Sequence, residues 1–228
     1  MVLAGFAAVI AVLIYLPSFW VRRVMGSYGS DSVAIRGTGA ELARHLIDRF
    51  QLNGIVVEEC PPFKDHFDPE GPVVRLSPQN YQGKSLTAVA VAAHEVGHAI
   101  QFYRQEQIFQ LRRKYLPVAS ALNRCGILIM WLIPFAGILL RAPGALAIMV
   151  GLSLCLQLGG AMAYLIILPE EWDASFNKAL PILIEGEYIE QTDIPAVRRI
   201  LKAAALTYFS AALANILNIS RWLLMFRR

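Results

Sequence analysis

Cysteine is scarce in this chain, with three among 228 residues. Cys60, Cys125 and Cys155 are odd in number and irregular in spacing, which excludes a regular disulfide framework. They are expected to be small buried hydrophobes in a reducing compartment. Charge is thin as well. Asp, Glu, Lys and Arg make up 17% of the residues, against about 25% in a typical soluble domain. The sequence has no internal repeat, low-complexity tract or long basic run. The net charge of +4 comes with Lys and Arg clustered beside apolar runs. That pattern belongs to membrane topology, so no nucleic-acid partner is expected. Histidine occurs only four times, which makes a close pair of histidines informative.

What the chain has in quantity is apolar length. The run from Val2 to Trp20 is long enough, at about 1.5 Å per residue, to cross about 30 Å of hydrocarbon. Its positive charge, Arg22 and Arg23, follows the apolar stretch, and Pro17-Ser18-Phe19-Trp20 is no cleavage site. The run therefore reads as a retained anchor with Arg22 on the cytoplasmic side. Two further spans are expected at about 119–140 and 143–168, after a basic stop at Arg112, Arg113 and Lys114. The turn Arg141-Ala142-Pro143-Gly144 is so short that these spans must form an antiparallel hairpin. The hairpin returns Glu170 and Glu171 to the side of the membrane from which it started. A last apolar stretch, 203–226, contains Asn215, Asn218, Ser220 and Arg221. It reads either as a fourth span or as an interfacial helix.

The less apolar segments between these runs read as a small α+β part. Gly26 to Gly39 is a linker, and Thr38 caps a helix whose apolar face is Ala40, Ala43, Leu46, Ile47 and Phe50. Strands are expected near Ile55–Val57 and Val73–Leu76. Ser85–Tyr103 is predicted to be a core helix, apolar on nearly every side. Asp193 is expected to cap a helix that begins at Pro195.

The core helix carries His94-Glu95-Val96-Gly97-His98, an H-E-x-x-H pattern. Residues four apart share a helix face, so the two imidazoles can converge on one ion, at about 2.0–2.1 Å each for zinc. Glu95 adjoins the first ligand and is placed to act as general base towards a water activated by the metal. Gly97, lacking a side chain, allows another element to approach behind the metal. A catalytic zinc takes three protein ligands and one open position. His45 lies on a polar helix face, so the third ligand is sought at Glu170 or Glu171, where the hairpin returns.

The stretches Asp65-His66-Phe67-Asp68-Pro69, Arg75-Leu76-Ser77, Tyr81-Gln82-Gly83 and Ala92 to Gln101 resemble the YugP-type membrane zinc metallopeptidases. The resemblance covers most of the chain from Gly39 onward. These proteases are similar to gluzincins such as the HtpX-like membrane proteases, whose third ligand is the Glu of an E-F-x-A pattern. Glu171-Trp172-Asp173-Ala174 matches that pattern with Trp for Phe, so the resemblance implies Glu171 as the third ligand. Asp173 reads either as an acceptor for a ligand histidine's second N–H or as an acid of a helix turn. His66 is singled out as a donor to the developing oxyanion, a role that Tyr81 could fill instead. The alternative for His66 is a loop hydrogen-bond network around Asp65 and Asp68. Val73 to Ser77 reads either as an exposed edge strand that accepts a peptide or as a buried structural strand.

The expected protein is thus a mostly α membrane protein, with three to four transmembrane helices and a small α+β, gluzincin-like metallopeptidase domain. Its expected parts are an anchor at 1–21, a soluble part at 22–115, a transmembrane hairpin at 116–168, a third-ligand helix and soluble segment at 169–202, and a terminal helix at 203–228. The expected activity is zinc-dependent endopeptidase action on proteins or peptides near the lipid bilayer. His94, His98 and Glu171 would bind Zn2+, with Glu95 and His66 catalytic. The site would face the cytoplasm from an inner or plasma membrane. Two other functions compete. One is a non-catalytic scaffold or adaptor with structural zinc, which would ordinarily use four ligands, often Cys, and would leave Glu95 without a purpose. The other is a transporter, for which only Arg124 and Arg221 offer intramembrane charge.

Overall fold

The computed structural model describes residues 2–140 and 142–216, and it is mostly helical. The helices are α1 (Val2–Ser27), α2 (Gly39–Arg49), α3 (Pro78–Gln82), α4 (Leu86–Tyr103), α5 (Phe109–Leu140), α6 (Pro143–Trp172), α7 (Leu180–Glu185), α8 (Ile194–Ala205) and α9 (Thr207–Ile216). A π-helical turn, Asp173–Ala179, joins α6 to α7. The strands are β1 (Val56–Glu59), β2 (His66–Asp68) and β3 (Val73–Leu76). The contacts divide the chain into two compact units. One comprises Phe19–Gln110 and Pro169–Thr207, and the other Met1–Ser18, Leu111–Leu168 and Tyr208–Arg228.

In the mixed unit, α4 is the central element. Every residue from Thr87 to Gln101 is buried. The helix starts cleanly because Ser85 accepts a hydrogen bond from the Ala88 N–H, and Ala and Val then fill the small spaces between neighbours. α2, α8 and the π-turn pack around it. Leu46, Leu183, Ile200 and Leu201 are fully enclosed there, each burial contributing about 1.5–3 kcal/mol. α2 is fixed at its start by a reciprocal capping box between Thr38 and Glu41. The sheet has the order β1-β3-β2, with β1 parallel and β2 antiparallel to β3. β3 is therefore the central strand, and Val73, Val74 and Leu76 are buried. This overturns the reading of Val73–Ser77 as an exposed edge, because both flanks of β3 are paired. β2 lies in a stretch read from the sequence as a loop.

Two other local expectations need correction. Asp193 occupies the residue before α8 but makes no side-chain cap. It closes a 3-10 turn, Gln191–Asp193, in right-handed helical conformation, so its carboxylate does not have the extended backbone from which N-caps reach back. The apolar stretch from 203 is not one uninterrupted helix, since a turn at Leu206 separates α8 from α9. Residues 217–228, including Asn218, Ser220 and Arg221, lie outside the described residues.

In the hairpin unit, α5 and α6 are longer than the expected spans. α5 begins at Phe109 and includes the basic stop, while α6 continues to Trp172. Arg112 is buried rather than solvated. Its guanidinium donates to the Tyr208 hydroxyl at 3.3 Å and lies over that ring. Small residues let the two helices approach closely. A Cβ on Gly126 would meet the Ser153 carbonyl at 2.8 Å, and one on Gly160 the Ala119 carbonyl at 2.9 Å. Phe109–Leu139 and the helical stretch Pro143–Glu185 are both long and apolar enough to cross a membrane. Only 11% and 22% of their apolar windows is buried, so they are not the enclosed core of a soluble fold. Cys125 and Cys155 are exposed on these helices, contrary to expectation, while Cys60 is buried.

Candidate metal centre

His94 and His98 lie on one face of α4, with ring centroids 4.7 Å apart. Glu171, near the end of α6, meets both. Its Oε2 is 3.4 Å from His94 Nε2 and 3.3 Å from His98 Nε2. These separations are long for hydrogen bonds, but they match the edge of a tetrahedron around zinc, about 3.3 Å for bonds of about 2.0–2.1 Å. One ligand atom from each of the three residues lies within 4.8 Å of the others, and all three residues are buried. The donor set is two imidazole nitrogens and a carboxylate oxygen, which suits zinc.

The hydrogen bonds behind the histidines decide which ring nitrogen faces the cluster. Ser175 Oγ donates to the Leu201 carbonyl at 3.1 Å. Its single proton is thereby used, so it accepts from His94 Nδ1–H at 2.9 Å. Gln101 Nε2 donates to the Glu170 carbonyl and to Asp173, at 3.1 and 2.8 Å. Its Oε1 is then turned to accept from His98 Nδ1–H, at 2.9 Å. Both rings thus carry their proton on Nδ1 and present the Nε2 lone pair towards Glu171, the tautomer a metal ligand needs.

Close approach of the π-turn makes this arrangement possible. A Cβ at Gly97 would lie 2.7 Å from the Ala174 carbonyl, so only glycine lets the turn sit against α4 between the two histidines. The turn widens to i→i+5 bonding, with Leu180 N–H donating to the Ser175 carbonyl, just before Pro181, which has no N–H. In this register Glu171 and Ser175 both face α4, while Trp172 is 44% exposed.

A family described as "putative neutral zinc metallopeptidase" matches residues 3–227. The chain belongs to that family. It is also similar to a Bacillus subtilis (strain 168) protein named "Putative membrane protease YugP", with 34% identity over 217 residues. The alignment covers 92% of this chain and 91% of that protein. No solved structure matches.

The other residues singled out in this family member fall outside the cluster. Glu170 is fully buried, but its Oε1 faces His98 Nδ1 at 3.6 Å, the nitrogen turned away from Glu171. Asp173 touches neither histidine. It binds Gln101, Asn177 and Lys178, and so holds the residue that holds His98, a correction to the expected direct contact. Lys178 also reaches Glu106, at 2.8 Å. His66 lies on β2, half-buried, and donates Nδ1–H to the Lys64 carbonyl at 2.6 Å. Beside it stands the alternative network, in which Asp65 accepts from the Ser77 N–H and from Asn80, at 2.7 and 3.0 Å. Asp68 pairs with Arg75. Tyr81 is tied to Arg44 and His45 to Tyr188, neither at the cluster. Burial, with the Asp65 and Glu95 carboxylates nearby, pushes the Cys60 thiol up to about 11, so it stays protonated at neutral pH and is no thiolate ligand.

Gln101 and Ser175 are the functional candidates that sequence reasoning passed over. Each carried a spacing signal. Gln101 follows His98 by three residues and Ser175 follows Glu171 by four, so each shares a helix face with its neighbour.

Proposed function

We propose that the chain is a membrane-associated zinc peptidase whose metal is held by His94, His98 and Glu171 and whose general base is Glu95. The observation that carries this reading is the convergence of two correctly oriented Nε2 atoms on the Glu171 carboxylate. A zinc ion supplies Lewis acidity, which polarises a peptide carbonyl and acidifies water. Glu95, buried on α4 beside His94, accepts a proton from the attacking water and returns it to the leaving amine. Gln101 and Ser175 keep the two rings in the ligating tautomer, and Asp173 keeps Gln101 in place. His66 uses its Nδ1–H on the Lys64 carbonyl, so only its protonated ring can also offer Nε2–H to a developing oxyanion.

Membrane association is supported by the two long apolar helices and by the name of the Bacillus subtilis relative. The basic residues Arg22, Arg23, Arg113 and Lys114 favour a cytoplasmic face for the site, in an inner or plasma membrane. Substrates on this reading are proteins or peptides near that face.

The test is zinc per chain in detergent-purified protein, paired with hydrolysis of a peptide library. The wild type and Glu170→Gln should each hold about one zinc, and Glu171→Ala should hold almost none. Glu95→Gln should keep its zinc and lose hydrolysis. Zinc that is indifferent to Glu171→Ala would remove the proposed ligand set. Hydrolysis that survives Glu95→Gln would remove the proposed base.

A further inference from the structure

A second feature of the mixed unit lies where α6 passes into the π-turn. Trp172 and Phe176 pack against each other there, with ring centroids 4.3 Å apart and planes tilted by 36°. With Arg198, Arg199 and Lys202 of α8 they line a cleft of about 440 Å³. All three cations are exposed, and none has an ion-pair partner among the described residues. Three unpaired cations and two aromatic rings lining one cleft call for an anion that also has an apolar part.

The places of these residues in the chain say which anion. Trp172 follows the apolar run 143–168 by four residues on one continuous helix, a rise of about 6 Å beyond Leu168. Tryptophan collects at the headgroup level of bilayers, and basic clusters beside membrane helices attract anionic lipids. An acidic peptide would satisfy the cations but would give no reason for the cleft to lie one helical turn past the end of an apolar run.

We infer that the cleft of Trp172, Phe176, Arg198, Arg199 and Lys202 binds the headgroup of an anionic phospholipid. The inference rests on the membrane part of the proposed function and is independent of the metal. The phosphate lies among the three cations and the glycerol portion rests on the rings. Because the end of α6 and the π-turn present Glu171 and Ser175 to α4, the lipid holds the outer face of the segment whose inner face completes the candidate metal centre.

The experiment is native mass spectrometry of the full chain, released from micelles containing equal phosphatidylglycerol and phosphatidylcholine. The wild type should retain phosphatidylglycerol in about tenfold to hundredfold excess, the scale expected for three basic residues at a membrane surface. R198Q/R199Q/K202Q should bring retention near parity. R22Q/R23Q, which removes charge beside another apolar run, should leave the excess intact. A second readout needs no change to the cations. With Trp20, Trp131 and Trp222 replaced by Phe, brominated phosphatidylglycerol should quench the Trp172 emission at least tenfold more efficiently than brominated phosphatidylcholine. Equal retention of the two lipids, or an excess that survives R198Q/R199Q/K202Q, would overturn the inference. So would complete displacement by millimolar glycerol phosphate or by an acidic peptide, which would make the cleft a simple anion or peptide site. Neither readout uses hydrolysis. A lipid preference in a protein that cleaves nothing would spare this inference and sink the peptidase, and zinc-dependent cleavage without the preference would do the reverse.

Discussion

Leu128, Phe135 and Ile148 of the hairpin unit are 61%, 69% and 72% exposed, while Glu170, His98 and Gln101 of the mixed unit are 0%, 1% and 0% exposed. The two regions thus place their residues in opposite senses. The hairpin turns large apolar side chains outward, which costs free energy in water and none in lipid. The mixed unit encloses imidazoles, carboxylates and an amide, a burial that hydrogen bonds such as those of His94, His98 and Gln101 offset. Each arrangement would be a defect in the other's surroundings. The contrast teaches that apolar content alone does not identify the membrane part. α4 is as apolar as a span, yet it is walled in on every side by protein.

The sharpest way to break the contrast is to remove an enclosed polar group. Glu95→Gln should lower peptide hydrolysis by about 10²–10⁴-fold while zinc content stays near one per chain. A loss of zinc in that variant would show that Glu95 is part of the packing rather than the chemistry. The mirror experiment places a charge on the outward face of the hairpin. Leu128→Lys should cost about 2.5–3.5 kcal/mol of insertion if that face meets lipid, read as a shift of protein from the membrane to the soluble fraction. A change within about 0.5 kcal/mol, as at an ordinary wet surface, would cancel the comparison.

A smaller effect is expected where the π-turn meets α4. Gly97→Ala must push against the Ala174 backbone, and an overpacking penalty of about 1–3 kcal/mol should appear as a lower thermal midpoint. One step further from the candidate metal centre, Gln101→Leu should weaken zinc affinity by about 10–100-fold, measured by chelator competition, with the fold retained. The least change is expected at the sheet. The hydrogen bond from Arg75 holds the Asp68 carboxyl below its usual range, and the Glu70 N–H adds to it. Its contribution is complete above the unfolded value of about 3.9 and is lost as pH falls through the depressed folded value. Thermal unfolding of Asp68→Asn should therefore differ from the wild type at neutral pH and converge with it in strong acid.

Local signals in the sequence foretold much of this. The capping box of Thr38 and Glu41, the start of α4 at Ser85 and the absence of a side chain at Gly97 are written within a few residues of where they act. The helix pair 94/98 needs only the period of an α-helix. What escaped needed a distant partner. β2 is three residues, His66–Asp68, and is a strand only because β3 pairs with it. β3 is central rather than an edge for the same reason. The π-turn does not follow from propensity, and the distinction between Glu170 and Glu171 is a matter of helix rotation at one position. Asp173 was given a histidine to hold, but Gln101 stands between them.

The order of synthesis gives one feature an additional meaning. His98 and Glu171 meet although they are 73 positions apart, with the whole apolar hairpin between them. At elongation rates of about 5–20 residues per second, a growing chain carries the two imidazoles for about 4–15 s before the carboxylate exists. On the proposed reading such a chain has the general base but an incomplete zinc site. On that reading peptidase activity would begin only after both helices of the hairpin had been made.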